Sequence, residues 1–298
     1  MLKKVLQTIG LLLLCSFSFF YTDRVVTVVK NQDPIMIKIN EYKDFYNIES
    51  VDAIINDKDI IPGINGCKVN IDKSYSNMKR IGSYNPNMIE YQEIKPELSL
   101  SKTYDKYIVK GNSNKNTVTL VFKVNNINNI NEIKSILKEK KIKAAFFIDG
   151  KDIETNVNSI YPLINEGHEI YNLGYDHRYE KEMLRWTNNM IDSIANNKSN
   201  YCLVLTENQN TLDICSKEKM YTIKPDIIIN YGNPFSIVRK TIEKGSIIVF
   251  DVNSITKNEL IGVITFLNKK GYTFNILSNH LSEKGCQWHP FLIEKNNK

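Results

Sequence analysis

From Val118 onward, short runs of β-branched and apolar residues alternate with segments whose apolar residues recur at helical spacing. This rhythm excludes an all-helical bundle and an all-β sandwich. It predicts an α/β domain built on a parallel sheet. Val118–Val124 reads as a buried strand and Asn131–Lys140 as a helix, with Ile133, Ile136 and Leu137 on one face. Ala144–Ile148 is the next strand. Val157–Glu166 is a helix closed by Gly167, His168–Asn172 a strand, and Glu180–Asn196 a long helix. Tyr201–Thr206, Ile227–Asn230 and Ser246–Asp251 read as further strands. Lys257–Lys270 is a helix ended by Gly271, and Phe274–Leu277 is the last strand. Periodicity alone does not choose between a barrel and an open sheet.

The preceding region, 25–110, reads differently. Val26–Val29 and Ile35–Ile39 have strand composition, as does Tyr104–Val109. Ile60-Ile-Pro-Gly-Ile-Asn-Gly66 is turn chemistry, followed by period-two alternation at Val69–Asp72. Ser74–Ile81 reads as one short helix with Ser74 as its cap. A small β-rich or mixed region without a catalytic signature is expected there. Before it, Lys3 and Lys4 precede an apolar run, which is the pattern of an export signal or anchor. Val5–Tyr21 is just long enough to span a bilayer, and the two lysines hold the terminus inside. Ser16-Phe-Ser18 has the small-x-small form of a cleavage site, so a secreted product is the alternative to a single-pass membrane protein. The expected division is 1–24 anchor, 25–110 extracytoplasmic region, 117–281 main domain and 282–298 polar tail.

The 298 residues carry a net charge of +6, spread along the chain without a dense basic block. Nucleic acid is therefore not expected as a partner. Of five cysteines, Cys15 lies in the apolar run. Cys67, Cys202, Cys215 and Cys286 remain, with Cys202 and Cys215 nearest in sequence. None has zinc-site spacing, and isolated thiols are as compatible with the sequence as pairs.

Three blocks carry more. Val118-Thr-Leu-Val-Phe-Lys-Val-Asn125, Lys143-Ala-Ala-Phe-Phe-Ile-Asp-Gly150 and Gly167-His-Glu-Ile-Tyr-Asn-Leu-Gly-Tyr-Asp-His177 occur in this order. Together with Gly245-Ser-Ile-Ile248 and Gly271-Tyr-Thr-Phe274 they resemble the polysaccharide deacetylase (NodB-like) family of metal-dependent carbohydrate esterases, over about Thr117 to Leu281. The resemblance implies an irregular (β/α) barrel and an N-acetylated glycan, such as peptidoglycan, as ancestral substrate.

The chemical half of the pattern is missing. The family's Thr-Phe-Asp-Asp-Gly supplies a general base and then a metal ligand; here the run is Val121-Phe122-Lys123-Val124-Asn125. Its His-(Ser/Thr)-x-x-His supplies two ligands; here Leu173 replaces the first and only His177 remains. The Arg-Pro-Pro-Tyr segment falls at Cys202-Leu-Val-Leu205. The late Leu-x-His, whose imidazole is the general acid, falls at Val249-Phe250-Asp251. A catalytic zinc needs three ligands and an open water position, and apolar side chains at two of three positions leave no way to hold it. The expectation is no cofactor, with zinc or another divalent metal only if the site is rearranged around His177, Asp176 and Asp251. Lys123 is expected to fill the cationic niche, balanced by Asp176 or Asp251.

The groove candidates are thus Lys123, Asp176, His177 and Asp251, with no catalytic residue assigned. His168 reads as structural, His280 and His289 as exposed tail residues, and Asp149 and Asp152 as helix caps. Tyr171, Tyr175, Trp186 and Trp288 are candidate sugar platforms, though packing is the plainer role for each. The expected protein is a cell-envelope pseudoenzyme that binds wall glycan or an envelope protein. The alternative is an active hydrolase of the amide bond in N-acetyl sugars.

Overall fold

The computed structural model describes residues 2–124, 127–195 and 197–286. Asn125, Asn196, Trp288 and His289 lie outside them. The chain divides into two compact units. The first is Met1–Glu49, Gly66–Ile94 and Gly285–Lys298; the second is Ser50–Asn65 and Lys95–Lys284.

In the first unit, Leu2–Asn31 is one helix of 30 residues. Its stretch Ile9–Asn31 is long and apolar enough to cross a membrane, and a signal sequence meets the same test. A second helix, Pro34–Tyr46, starts where Asp33 caps the backbone N–H of Ile35 and proline takes the first turn. The strands expected at Val26–Val29 and Ile35–Ile39 are therefore helical. At 26–29 the apolar helix simply continues from the turn before. At 35–46, Ile35, Met36, Ile39 and Tyr46 fall on one helical face and are buried. Position in the chain overrides β-branched propensity.

The helix Ile71–Ile81 is capped by Asn70, whose side chain accepts from Lys73 N, and closed by left-handed Gly82. Ser74 is buried within it rather than at its cap. Gly66–Val69 pairs antiparallel with Tyr91–Ile94. Ile35, Ile39, Tyr46, Val69, Met78 and Ile89 form this unit's core. A disulfide joins Cys67 to Cys286.

The second unit is a curled α/β sheet. Its strands are β1 (Ile54–Asn56), β2 (Asp59–Ile61), β3 (Tyr107–Ile108), β4 (Thr117–Val124), β5 (Ala145–Ile148), β6 (Glu169–Asn172), β7 (Tyr201–Leu203), β8 (Tyr221–Ile223), β9 (Ile227–Ile229), β10 (Ile247–Asp251) and β11 (Thr273–Phe274). They pair in the order β1-β2-β3-β8-β7-β6-β5-β4-β10-β9, with β11 on β4. Only the β1–β2 hairpin is antiparallel. The helices Gln209–Lys217 and Pro234–Thr241 and strand β8 come in addition to the elements expected from periodicity.

Strand alternation sorts the core. Val118, Leu120, Phe122, Val124, Phe146 and Ile148 pack outward against the helices. Val121, Phe147, Tyr171, Leu173, Leu203 and Val249 pack on the inner face with Leu277 and Leu281. The last strand, expected at Phe274–Leu277, is Thr273–Phe274, and the chain then turns into a short helix, Leu277–Leu281, which carries His280 to a fully buried position. There Nδ1 lies 2.9 Å from Thr117 Oγ1, and Nε2 lies 2.8 Å from the Gly245 carbonyl. The expected exposure of His280 is thus overturned, because leucines three residues before and one after it both enter the core. Gly111 leaves the imidazole room, since a Cβ there would sit 2.4 Å from Nε2. Glu283, expected in a polar tail, accepts hydrogen bonds from Gly63 N and Leu100 N, both 3.0 Å, and from the Ser99 hydroxyl. The ordered second unit therefore extends past Leu281.

Candidate functional site

Strands β4 and β10 are neighbours in register, which sets Asp251 directly beside Lys123. Their side chains form an ion pair, Nζ to Oδ1 3.6 Å, and are only 25% and 18% exposed. Both stand at the carboxyl ends of central strands, where α/β sheets present ligand sites. These are the two positions at which the resemblance places a general base and a general acid. An ammonium held against a carboxylate has no lone pair with which to activate water.

One strand over, Asp149 follows β5. Its buried carboxylate caps the helix Gly150–Asn165 by accepting from Lys151 N. The same carboxylate accepts from Asp176 N at 2.9 Å and His177 N at 2.8 Å. Asp149 thus pins the turn after β6, with Asp176 and His177 in the left-handed region at φ 50° and 62°. Gly150 permits the close approach, since a Cβ there would meet Thr187 Oγ1 at 2.1 Å. Capping is the role expected of Asp149; the second task, holding residues 176 and 177, is visible only in three dimensions.

The turn points its side chains outward. Asp176 pairs with Lys151 at 2.9 Å, and that ammonium holds the Asp176 carboxyl below the usual range. Asp251, not Asp176, is therefore the partner of Lys123. The His177 side chain is 76% exposed, with Nδ1 3.7 Å from Asp149 Oδ2.

These residues do not fit the zinc that the fold family implies. Val124 is fully buried on the helix side of the sheet, Leu173 packs on the inner face, and His177 faces solvent. Among the described residues, no group of three or more His, Cys, Asp or Glu is placed to hold a metal ion.

Burial and pairing sort the remaining candidates. Cys202, at the family's arginine position, is bonded to Cys215, so these thiols are not free. Tyr171 is buried and meets Tyr201 edge to face. The Tyr175 hydroxyl donates to Glu154, and Trp186 is exposed on the helix Lys181–Ile194. His168 accepts from Ala144 N and lies edge-on to Phe146.

Lys123→Met tests the pair. The substitution leaves the half-buried Asp251 without its cation. Solvent still reaches both side chains, so the expected loss is about 1–2 kcal/mol, below the cost of breaking a fully buried pair. Urea unfolding reads it, and an unchanged midpoint would show that the pair does not stabilise the fold.

An α/β half-barrel with this motif order, stripped of base and ligands, defines the class: the second unit is a polysaccharide deacetylase-type domain of the NodB-like family, degenerate in its metal and catalytic motifs. Residues 110–212 match the family model for polysaccharide deacetylase. The chain is 27% identical to the Bacillus subtilis (strain 168) protein YlxY, over 87% of this chain and 86% of that one. It is also similar to BA3943 of Bacillus anthracis, described as a CE4 family pseudoenzyme, with TM-score 0.65, 26% identity, and 86% and 98% of the two chains covered. The fold recurs in the Bc1960 peptidoglycan N-acetylglucosamine deacetylase, at TM-score 0.54 and 20% identity, over 60% of this chain and 94% of that one.

Proposed function

We propose that this chain is a non-catalytic deacetylase-like protein of the cell envelope, held at the membrane by its N-terminal helix, whose groove binds an N-acetylated glycan or an envelope protein. The observation that carries the reading is the Lys123–Asp251 ion pair, which occupies both proton-transfer positions of the family pattern. Val124, Leu173 and the outward His177 support it, because the family's ligand positions do not converge on a donor set for a Lewis acid. The description of BA3943 as a pseudoenzyme supports it at the level of a relative.

Calorimetric titration of the purified chain with zinc, and with cobalt as a second ion, tests the reading. No heat of binding is expected at micromolar metal. Tight one-to-one binding, abolished by His177→Ala, would overturn the proposal. It would establish instead a rearranged metal-dependent N-deacetylase, to be assayed on acetylated glycan.

A further inference from the structure

The lysines that look scattered in sequence are gathered by the fold. Each helix between parallel strands runs back against them, so helix C-termini collect at the end where the strands begin. Helices Pro234–Thr241, Ser254–Lys269 and Ile130–Glu139 pack side by side in that order. The last ends in Lys138, Lys140, Lys141 and Lys143. The middle one ends in Lys269 and Lys270. The first ends in Arg239, Lys240 and Lys244. Glu139 pairs with Lys140 and Glu166 with Lys138, while Glu243 pairs with a further cation, Lys110.

Complementing the helix dipole accounts for one cation in a last turn. It does not account for this rim. The neighbouring helices Gly150–Asn165 and Lys181–Ile194 have no basic residue in their last turns. Lys140, Lys141, Lys143, Lys244 and Lys270 lie beyond the helix ends. Lys141 also holds a left-handed conformation, φ 57°, where the chain leaves its helix. Gly167 and Gly271 take the corresponding position after two other helices, both at φ 81°. Glycine adopts that conformation freely and lysine does not, and Lys219 holds it too, at φ 56°, after the helix Gln209–Lys217.

We infer that this rim docks on an anionic lipid surface. Apart from the half-buried Lys140, the cations are exposed; they are long-stemmed and spread over three helix ends, which suits many headgroup phosphates better than one bound anion. An N-terminal helix long and apolar enough to cross a membrane would keep lipid at high local concentration. The inference rests on the anchor reading for that proximity, and on the rim alone for the charge.

The full chain, with Cys15→Ser and a donor dye on Asn268→Cys, is placed in nanodiscs carrying a headgroup acceptor dye. One disc type is phosphatidylcholine; the other holds about 30% phosphatidylglycerol. Energy transfer is expected only in anionic discs, and is expected to fall when salt reaches about 0.5 M. Changing Lys140, Lys141, Lys143, Lys269 and Lys270 to Gln is expected to lower the docked-to-free ratio by about tenfold or more, while the same five changed to Arg preserve it. Unfolding midpoints show that each variant is folded. Equal transfer in both disc types, or transfer that survives the Gln variant, would overturn the inference. Lysine-dependent binding of soluble polyphosphate without transfer in anionic discs would assign the rim to an anionic polymer and overturn the lipid partner. If the chain fails to enter discs, the anchor reading falls, and flotation with vesicles of the same two compositions then decides the rim by the same variants.

Discussion

Val124→Asp is expected to destabilise the second unit by about 4 kcal/mol or more, because it places a carboxylate in a dry apolar layer without a partner. The family pattern carries an acidic metal ligand at this position, so the substitution looks restorative in an alignment. The structure gives the opposite expectation. Val124 is the last residue of β4, has no solvent exposure, and packs in the cluster that includes Ile130, Ile148 and Phe122. In an unbent strand, alternation commits residue 124 to the face opposite Lys123. A ligand at 124 would therefore require the strand to end earlier. A mutant of BA3943 is described as having restored enzymatic activity. In the present chain a side-chain exchange at 124 alone is expected to yield an unstable protein that does not bind zinc. Urea denaturation with and without zinc measures this. A stable Val124→Asp protein that gains stability with zinc would show that the strand end bends to make a site.

Acid is expected to produce the second large effect, through two histidines. Burial pushes both His168 and His280 down to about 4, against an ordinary value of 6.5. The unfolded chain binds protons at both sites as pH drops below 6.5, and the folded chain does not until about 4. Their contribution is therefore complete above 6.5, declines as pH falls, and levels off below 4. Each is worth up to about 3 kcal/mol over that window. Glu169 and Asp226 work against this trend. Burial raises both carboxyls, so their cost is relieved as acid protonates them. Urea midpoints between pH 7.5 and 4 give the net slope, and His280→Gln isolates one component. The variant is expected to be less stable at neutral pH and to lose less on acidification. An identical pH slope in the variant would show that His280 titrates freely in the fold.

Much of the second unit was legible because its signals are local. Residues two apart on β4 and β5 share a face, and residues three and four apart on the helices do likewise, so Phe122, Phe146, Ile133 and Leu137 declare their burial in the order of the chain. The departures from the family's functional residues were equally legible. Lys123 stands where the family has an aspartate, and Val124 and Leu173 carry no donor atom for a metal. Val26–Val29 shows the limit of local reading, since β-branched composition suits a strand but the apolar helix before it leaves no reason to stop.

Residue identity and near-neighbour spacing were thus enough for the α/β class, the family pattern and the substitutions at its functional positions. Tertiary structure alone decided that Lys123 pairs with Asp251 rather than Asp176, that Asp149 holds the turn bearing His177, and that His280 is enclosed. It also gathered dispersed lysines on one rim. The physical reason is the same in each case. Strand register and helix packing join residues from 27 to 163 positions apart, as with Asp149 and Asp176 or Thr117 and His280, and no local period records those meetings.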